Sequence, residues 1–171
     1  MDEPCDVIPN NFRSLNSLEK CYIRFINTTD RSVDVFWINY SGVLVNYRLL
    51  NKGRYVDVST YKTHPWIVKD TATKDMMLIN GTYFYQPKTS REILEEKYPG
   101  NNIPEHHEVR TRAFISVPVY SLRYACLLTL RNHLSSTEDV DELVLPRNLV
   151  EDLKKAISKR NRECSMETLK Y

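Results

Sequence analysis

From Cys21 the chain alternates in hydropathy: Cys21, Ile23 and Phe25 fall on one side of an extended segment and Tyr22, Arg24 and Ile26 on the other. Asn27-Thr-Thr-Asp30 then supplies turn chemistry. The run Ser32 to Tyr40 is β-branched and aromatic and ends at Ser41-Gly42. Short apolar runs follow at Val43–Leu50, Tyr55–Val58, Trp66–Lys69, Met76–Ile79 and Thr82–Tyr85, divided by Asn51-Lys-Gly53, Asp70 to Asp75 and Asn80-Gly81. Strands this short at this spacing predict an antiparallel β-sandwich. Residues 86–112 break the rhythm with a long, charged, proline-bearing stretch. Within it Thr89-Ser-Arg-Glu92 has the form of a capping box, which predicts a short helix over Ser90–Tyr98 stopped by Pro99-Gly100, and the stretch reads as a surface insertion. Ala113–Val119 resumes a strand pattern, and Pro118 within it points to an edge or last strand.

After Ser121 the period changes to that of a helix. Leu122, Cys126 and Leu130 fall at i, i+4 and i+8, one line down one face, with Tyr124, Leu127 and Leu128 to its sides. Two readings are open. The helix is a core helix with a structural cysteine, or its Leu127/Leu128 side packs at home and the line of Leu122, Cys126 and Leu130 receives another surface, the small thiol allowing close approach. A second helix follows Leu143-Val-Leu-Pro146, with the proline where its missing N–H costs nothing and Leu149, Leu153 and Ile157 as its apolar line. The expected architecture is α+β: a loose arm at 1–12, an antiparallel β-sandwich domain at 13–119 with the long loop 86–112, a small C-terminal helical domain at 120–160, and a tail at 161–171.

A chain of 171 residues that is 42% hydrophobic and 27% charged can bury a real core. Its formal net charge of +2 argues against nucleic acid as a partner, and the basic pairs Lys154-Lys155 and Lys159-Arg160 are interleaved with acids. The acidic start Met1-Asp-Glu-Pro-Cys-Asp6 lacks the layout of a secretory signal, and no run approaches eighteen apolar residues, so no membrane span and an intracellular location are expected. Cys5, Cys21, Cys126 and Cys164 have no metal spacing and read as free thiols; His106-His107 has no further ligands at zinc-finger spacing. Three triplets, Asn27-Thr-Thr29, Asn39-Tyr-Ser41 and Asn80-Gly-Thr82, fit the N-glycosylation pattern and would suit a secreted adhesive sandwich. Asp57, Ser59 and His64 could be imagined as a nucleophilic triad, but there is no G-x-S-x-G elbow and no glycine-rich phosphate loop, so catalysis by this chain is not expected.

Arg13-Ser-Leu-Asn-Ser17, Phe36-Trp-Ile-Asn39, Tyr47, Val58-Ser-Thr-Tyr-Lys-Thr-His-Pro-Trp66, Val117-Pro-Val-Tyr-Ser-Leu122 with Cys126, and Leu145-Pro-Arg-Asn-Leu149 follow one another in order. Together they resemble the von Hippel–Lindau family, substrate receptors of cullin-RING ubiquitin ligases, from Arg13 to about Leu153. The resemblance implies that Leu122, Cys126 and Leu130 dock elongin C, which brings elongin B, and that Leu145, Pro146 and Leu149 select a class-2 cullin with its RING protein. It also implies that the β-domain binds a 4-hydroxyproline-bearing peptide of the hypoxia-inducible factor α subunit through Asn16, Trp37, Tyr47, Thr60, Tyr61, His64 and Trp66. It further implies a non-catalytic role in proteasomal degradation and oxygen sensing, in cytoplasm and nucleus, with no cofactor and no metal. The chain departs from the family in having Ser59-Thr60 where a His-Ser pair is usual, Ala125 where the elongin box has Arg, and a longer loop at 86–112. An elongin-linked adaptor for substrates that are not hydroxylated is the alternative that the Ser59 departure leaves open.

The chemistry fits the residue types. A hydroxyproline ring is apolar on its faces and polar at one point, so its pocket needs aromatic walls and a convergent donor and acceptor. Trp37, Tyr47 and Trp66 can supply walls, and Thr60 and His64 the hydrogen bonds. Plain proline would leave each desolvated polar group without a partner, at roughly 1–3 kcal/mol apiece, which is how such a site rejects a missing hydroxyl.

Overall fold

The computed structural model describes residues 12–103 and 107–168. The expected arm up to residue 11 with Cys5, His106, residues 169–171, and the side chains of residues 163–168, Cys164 and Met166 among them, lie outside the described part. The chain divides into two units, Met1–Pro118 and Val119–Tyr171.

Among the described residues seven strands build the first unit: β1 (Lys20–Asn27), β2 (Val33–Ile38), β3 (Leu44–Leu50), β4 (Tyr55–Tyr61), β5 (Trp66–Asp70), β6 (Met76–Ile79) and β7 (Arg110–Ser116). They join in the order β3-β2-β5-β6-β7-β1-β4, antiparallel except where β7 runs parallel to β1. The two outer strands, β3 and β4, approach each other, so the sheet curls nearly closed. Its interior is the core of Ile23, Phe25, Val33, Val35, Val58, Trp66, Val68, Met77, Ile79, Ala113 and Ile115. The alternation of β1 is the expected one, with Cys21, Ile23 and Phe25 buried between half-exposed Tyr22, Arg24 and Ile26. Strand β2 does not alternate because both of its faces are covered: Phe36 and Ile38 form a second cluster with Ile67 and Met76, roofed by Phe12, Tyr83 and Phe84.

That roof corrects one expected element. Residues 82–85 are not a strand; they make only two isolated bridges, Thr82 with Ile79 and Tyr85 with Trp66. Asn80 and Gly81 turn the chain back with φ of 49° and 83°, after which Tyr83 and Phe84 are spent on covering the β2–β5–β6 face, and Phe84 meets Phe12 at 4.8 Å between ring centroids. A second correction concerns β7. It is the last strand in sequence but lies inside the sheet, between β6 and β1. The strand ends at Ser116, so Pro118 falls beyond the ladder and removes no hydrogen bond from it. The helix in the insertion is α1 (Ser90–Lys97), with both halves of the capping box formed by Thr89 and Glu92.

In the second unit, α2 (Leu122–His133) and α3 (Arg147–Thr168) pack around Val140, Leu153 and Ile157, with Leu127, Leu134, Leu143, Leu145 and Val150 against them. Ser121 caps α2 by accepting from the Tyr124 amide at 3.2 Å. At its other end the Arg160 guanidinium donates to the Arg131 and Leu134 carbonyls, satisfying acceptors that a helix C-terminus leaves open. This anchorage sits at the expected end of the helical domain, and the expected tail at 161–171 is corrected, since α3 continues to Thr168. Among the described residues no helix is long and apolar enough to cross a membrane.

Candidate functional site

Tyr61 ends β4, and the turn from there to β5 carries Thr63 and His64, closed by the His64 amide donating to the Tyr61 carbonyl at 3.0 Å. Three aromatic rings surround the imidazole. Trp37, from β2, stacks on it at 5.2 Å and 28° between planes, while Tyr40 and Tyr61 present edges at 5.5 and 5.1 Å. His64 is 6% exposed. Its Nε2 lies 3.2 Å from the Tyr40 hydroxyl and 3.4 Å from that of Ser17, and these two hydroxyls are 2.6 Å apart. Burial lowers the His64 pKa below the ordinary histidine value, opposed by a hydrogen bond to the Asn16 backbone, so the ring is held neutral, able to donate at one nitrogen and accept at the other.

The neighbouring half of the site centres on Trp66, which pairs across the ladder with Trp37 and is 2% exposed. Its indole N–H donates to the Thr60 hydroxyl at 3.3 Å, and Tyr47 meets it edge-on at 5.3 Å. Tyr47 owes its position to a bulge. In the β2–β3 register Val35 faces Arg48 and Phe36 faces Asn46, so Tyr47 is the extra residue with no partner opposite. A bulge frees and re-aims one side chain, and Tyr47 stays half-exposed above a buried Trp66. The structure thus brings Trp37, Tyr61 and His64 together, and beside them Tyr47, Thr60 and Trp66. Asn16 joins through its backbone: its amide donates to Thr63 Oγ1 at 3.0 Å and its carbonyl accepts from that hydroxyl at 2.7 Å. The Asn16 side chain instead faces the Leu18 amide at 3.4 Å.

Four participants escaped sequence reasoning: Ser14, Ser17, Tyr40 and Thr63. Ser14 is buried, donates to the Ile38 carbonyl at 2.6 Å and accepts from the Trp37 indole N–H at 2.8 Å, which fixes that ring. The segment from Ser14 to Ser17 is therefore a strap laid over the ends of two hairpins. Small hydroxyl residues in a polar stretch carry no periodic signal, and only the Arg13–Ser17 run hinted that this segment matters. Tyr40 looked like the last residue of a strand; it sits instead in the β2–β3 turn, which Asn39 organises by accepting from the Ser41 and Val43 amides at 2.9 Å each.

The imagined triad does not assemble. The Asp57 carboxylate is held by Arg24 at 2.7 Å and Arg110 at 2.8 Å, which depress its pKa, and His64 Nε2 faces Ser17 and Tyr40 rather than Ser59. Ser59 lies exposed on β4, an outer strand of the sheet. Of the glycosylation triplets, the first is a structural device: Asn27 has no exposed surface, and its amide donates to the Arg31 and Leu50 carbonyls while its oxygen accepts from the Thr29 amide and hydroxyl. Of the cysteines, Cys21 and Cys126 are free thiols. Burial, with the Glu92 and Glu19 carboxylates adding to it, pushes the Cys21 thiol up to about 11.

In the helical unit, Leu122 is 82% exposed, Leu130 38%, and Cys126 between them is also exposed, while Leu128 is buried and Leu127 packs on the unit's core. Leu145 packs against that same core, Leu149 is half-buried and Pro146 is exposed ahead of α3, its carbonyl accepting from the Leu149 amide at 2.9 Å. Arg123 of α2 and Asp152 of α3 form an ion pair at 2.6 Å. Among the described residues no group of His, Cys, Asp and Glu is arranged to hold a metal.

Residues 12–93 match the family model described as the VHL beta domain. Among curated proteins the chain is similar to Protein Vhl of Drosophila melanogaster, with 27% identity over 124 residues, covering 72% of this chain and 67% of that protein.

Proposed function

From its similarity to the VHL beta domain and to Protein Vhl we propose that the chain is a VHL-family protein, the substrate-recognition subunit of a cullin-RING ubiquitin ligase, binding a peptide of hypoxia-inducible factor α at a hydroxylated proline and docking elongin C. The observation that carries this reading is the face of α2: Leu122, Cys126 and Leu130 form an exposed apolar line on a helix whose other side already has its core. An isolated face of this kind is satisfied by a protein partner. Elongin C with elongin B fills that role, and Leu145, Pro146 and Leu149 take part in selecting the class-2 cullin. The peptide's proline enters the cage of Trp37, Tyr47, Tyr61, His64 and Trp66, with Thr60 and His64 reading the hydroxyl, Asn16 flanking it, and the peptide backbone extended along the free edge of β4. Ubiquitin transfer belongs to the other subunits, and the protein acts in cytoplasm and nucleus.

A second reading has its own observation. The polar groups meant for the ligand hydroxyl already have partners within the chain, Thr60 with Trp66 and His64 with Tyr40 and Ser17. This favours an elongin-linked adaptor with weaker demand for hydroxylation. One titration separates the two. The chain, co-expressed with elongins B and C, is titrated with a degron-like peptide carrying hydroxyproline or proline. Strong preference for the hydroxylated form is expected. Equal affinity with elongins attached would leave the adaptor and discard oxygen sensing, and failure to co-purify with elongins would sink the ligase assignment.

A further inference from the structure

We propose that Tyr40 is a specificity-determining residue of the His64 site: its hydroxyl, linked to that of Ser17, acts as an internal stand-in for the ligand hydroxyl and so narrows the discrimination between hydroxylated and plain proline. The inference rests on the reading of this site as a hydroxyproline pocket. The geometry is a chain of three polar atoms, Ser17 Oγ to the Tyr40 hydroxyl at 2.6 Å and the Tyr40 hydroxyl to His64 Nε2 at 3.2 Å, with Ser17 Oγ itself 3.4 Å from Nε2. Whichever way the protons run along it, Nε2 has a partner before any ligand arrives. A pocket rejects plain proline to the extent that proline strands a desolvated polar group. Here Nε2 is not stranded, because Tyr40 remains on it. A ligand hydroxyl that reaches Nε2 must displace one of its own kind, so it exchanges one hydrogen bond for another.

Tyr40 is placed to do this without being locked in place. It is 47% exposed, so water is available to its hydroxyl if the contact is given up, whereas His64 is 6% exposed and has no such recourse. Its ring is held edge-on by Trp37 at 5.8 Å and His64 at 5.5 Å, contacts that survive loss of the hydroxyl.

The test is Tyr40→Phe in the elongin-bound chain, titrated with both peptides, beside the wild-type protein. The ratio of affinities for hydroxylated over plain peptide is expected to rise about tenfold, through weaker binding of the plain form, because Nε2 now depends on the ligand. Ser17→Ala, which leaves the Tyr40 hydroxyl in place, is expected to move the ratio less. A second readout needs no peptide: the ¹⁵N signals of the His64 ring report its tautomer and partner, and are expected to shift in Tyr40→Phe. A ratio unchanged or lowered in Tyr40→Phe overturns the inference, as do unshifted ring signals. If wild type binds neither peptide, the pocket reading and this inference fail together; if it binds both and Tyr40→Phe alters nothing, this inference fails alone.

Discussion

Replacing Ser14 with alanine removes a single oxygen, and the structure says what that oxygen holds. It accepts from the Trp37 indole at 2.8 Å and donates to the Ile38 carbonyl at 2.6 Å, in a residue 2% exposed. An indole N–H has one proton and so loses its one partner; with Trp37 half-buried, water replaces the bond only in part, at a cost of about 1–2 kcal/mol. The Ile38 carbonyl sits in a residue with no exposed surface but keeps a second lone pair, and its loss is about 1 kcal/mol. Together these give about 2–3 kcal/mol. With a urea slope of about 1.5–2 kcal/mol/M, the unfolding midpoint of the β unit should fall by about 1–2 M at unchanged slope. Tryptophan fluorescence is a direct probe, since Trp37 and Trp66 are the two tryptophans in the sequence and both lie in the site. Peptide affinity should fall with stability if Trp37 is, as proposed, a wall of the peptide cage. Ser17→Ala, an exposed hydroxyl a few residues away, is the control and should move the midpoint by no more than about 0.3 M. A Ser14→Ala midpoint within that same margin would refute the view that the strap fixes Trp37.

Asn27→Ala should destabilise the same unit by about 2–4 kcal/mol in the same assay, as it strands the Leu50 carbonyl and the Thr29 amide in a buried turn, and a loss below about 1 kcal/mol would count against the network. Cys126→Asp should abolish co-purification with elongin C while leaving the near-ultraviolet signature of the β unit intact, since it sets a charge into the exposed face proposed to dock elongin C; retained elongin would reject the docking assignment. The lowered pKa of His64 sets a direction for pH: between its folded value and the ordinary value near 6.5 only the unfolded chain takes up the proton, so stability is full above about pH 6.5, declines as pH drops through that window and levels off below it. His64→Gln should flatten that decline, and an unaltered pH profile would show that His64 is not its source.

Strand identity was legible where burial is one-sided. Cys21, Ile23 and Phe25 announce a strand because only one face of β1 meets the core, and Thr89 and Glu92 announce a helix start because a capping box is local. Residues 82–85 misled because tyrosine, phenylalanine and threonine suit a strand, while their use as a roof depends on Phe36, Ile67 and Met76, far off in sequence. The interior place of β7 was illegible for a similar reason: which strands flank it is decided by long-range pairing. Within the site the aromatic and imidazole residues stood out as residue types. The hydroxyls that orient them did not, since Ser14, Ser17 and Thr63 are functional only through atoms 23 to 47 positions away. Nor could spacing reveal that the Asn39 triplet builds the turn that carries Tyr40.

The place of β7 has a consequence for how this protein is made. Until residue 116 has left the ribosome the sheet exists only as two separate pieces, β3-β2-β5-β6 and β1-β4, and the β6 and β1 edges that β7 will join stand open. Strand β1 is synthesised first, yet its parallel partner arrives more than eighty residues later. At typical elongation rates that is several seconds or more of exposure for two unpaired apolar edges. The topology thus leaves two edges to be shielded during synthesis, and a chain cut between β6 and β7 is expected to keep both open, as a template for aggregation rather than a smaller folded domain.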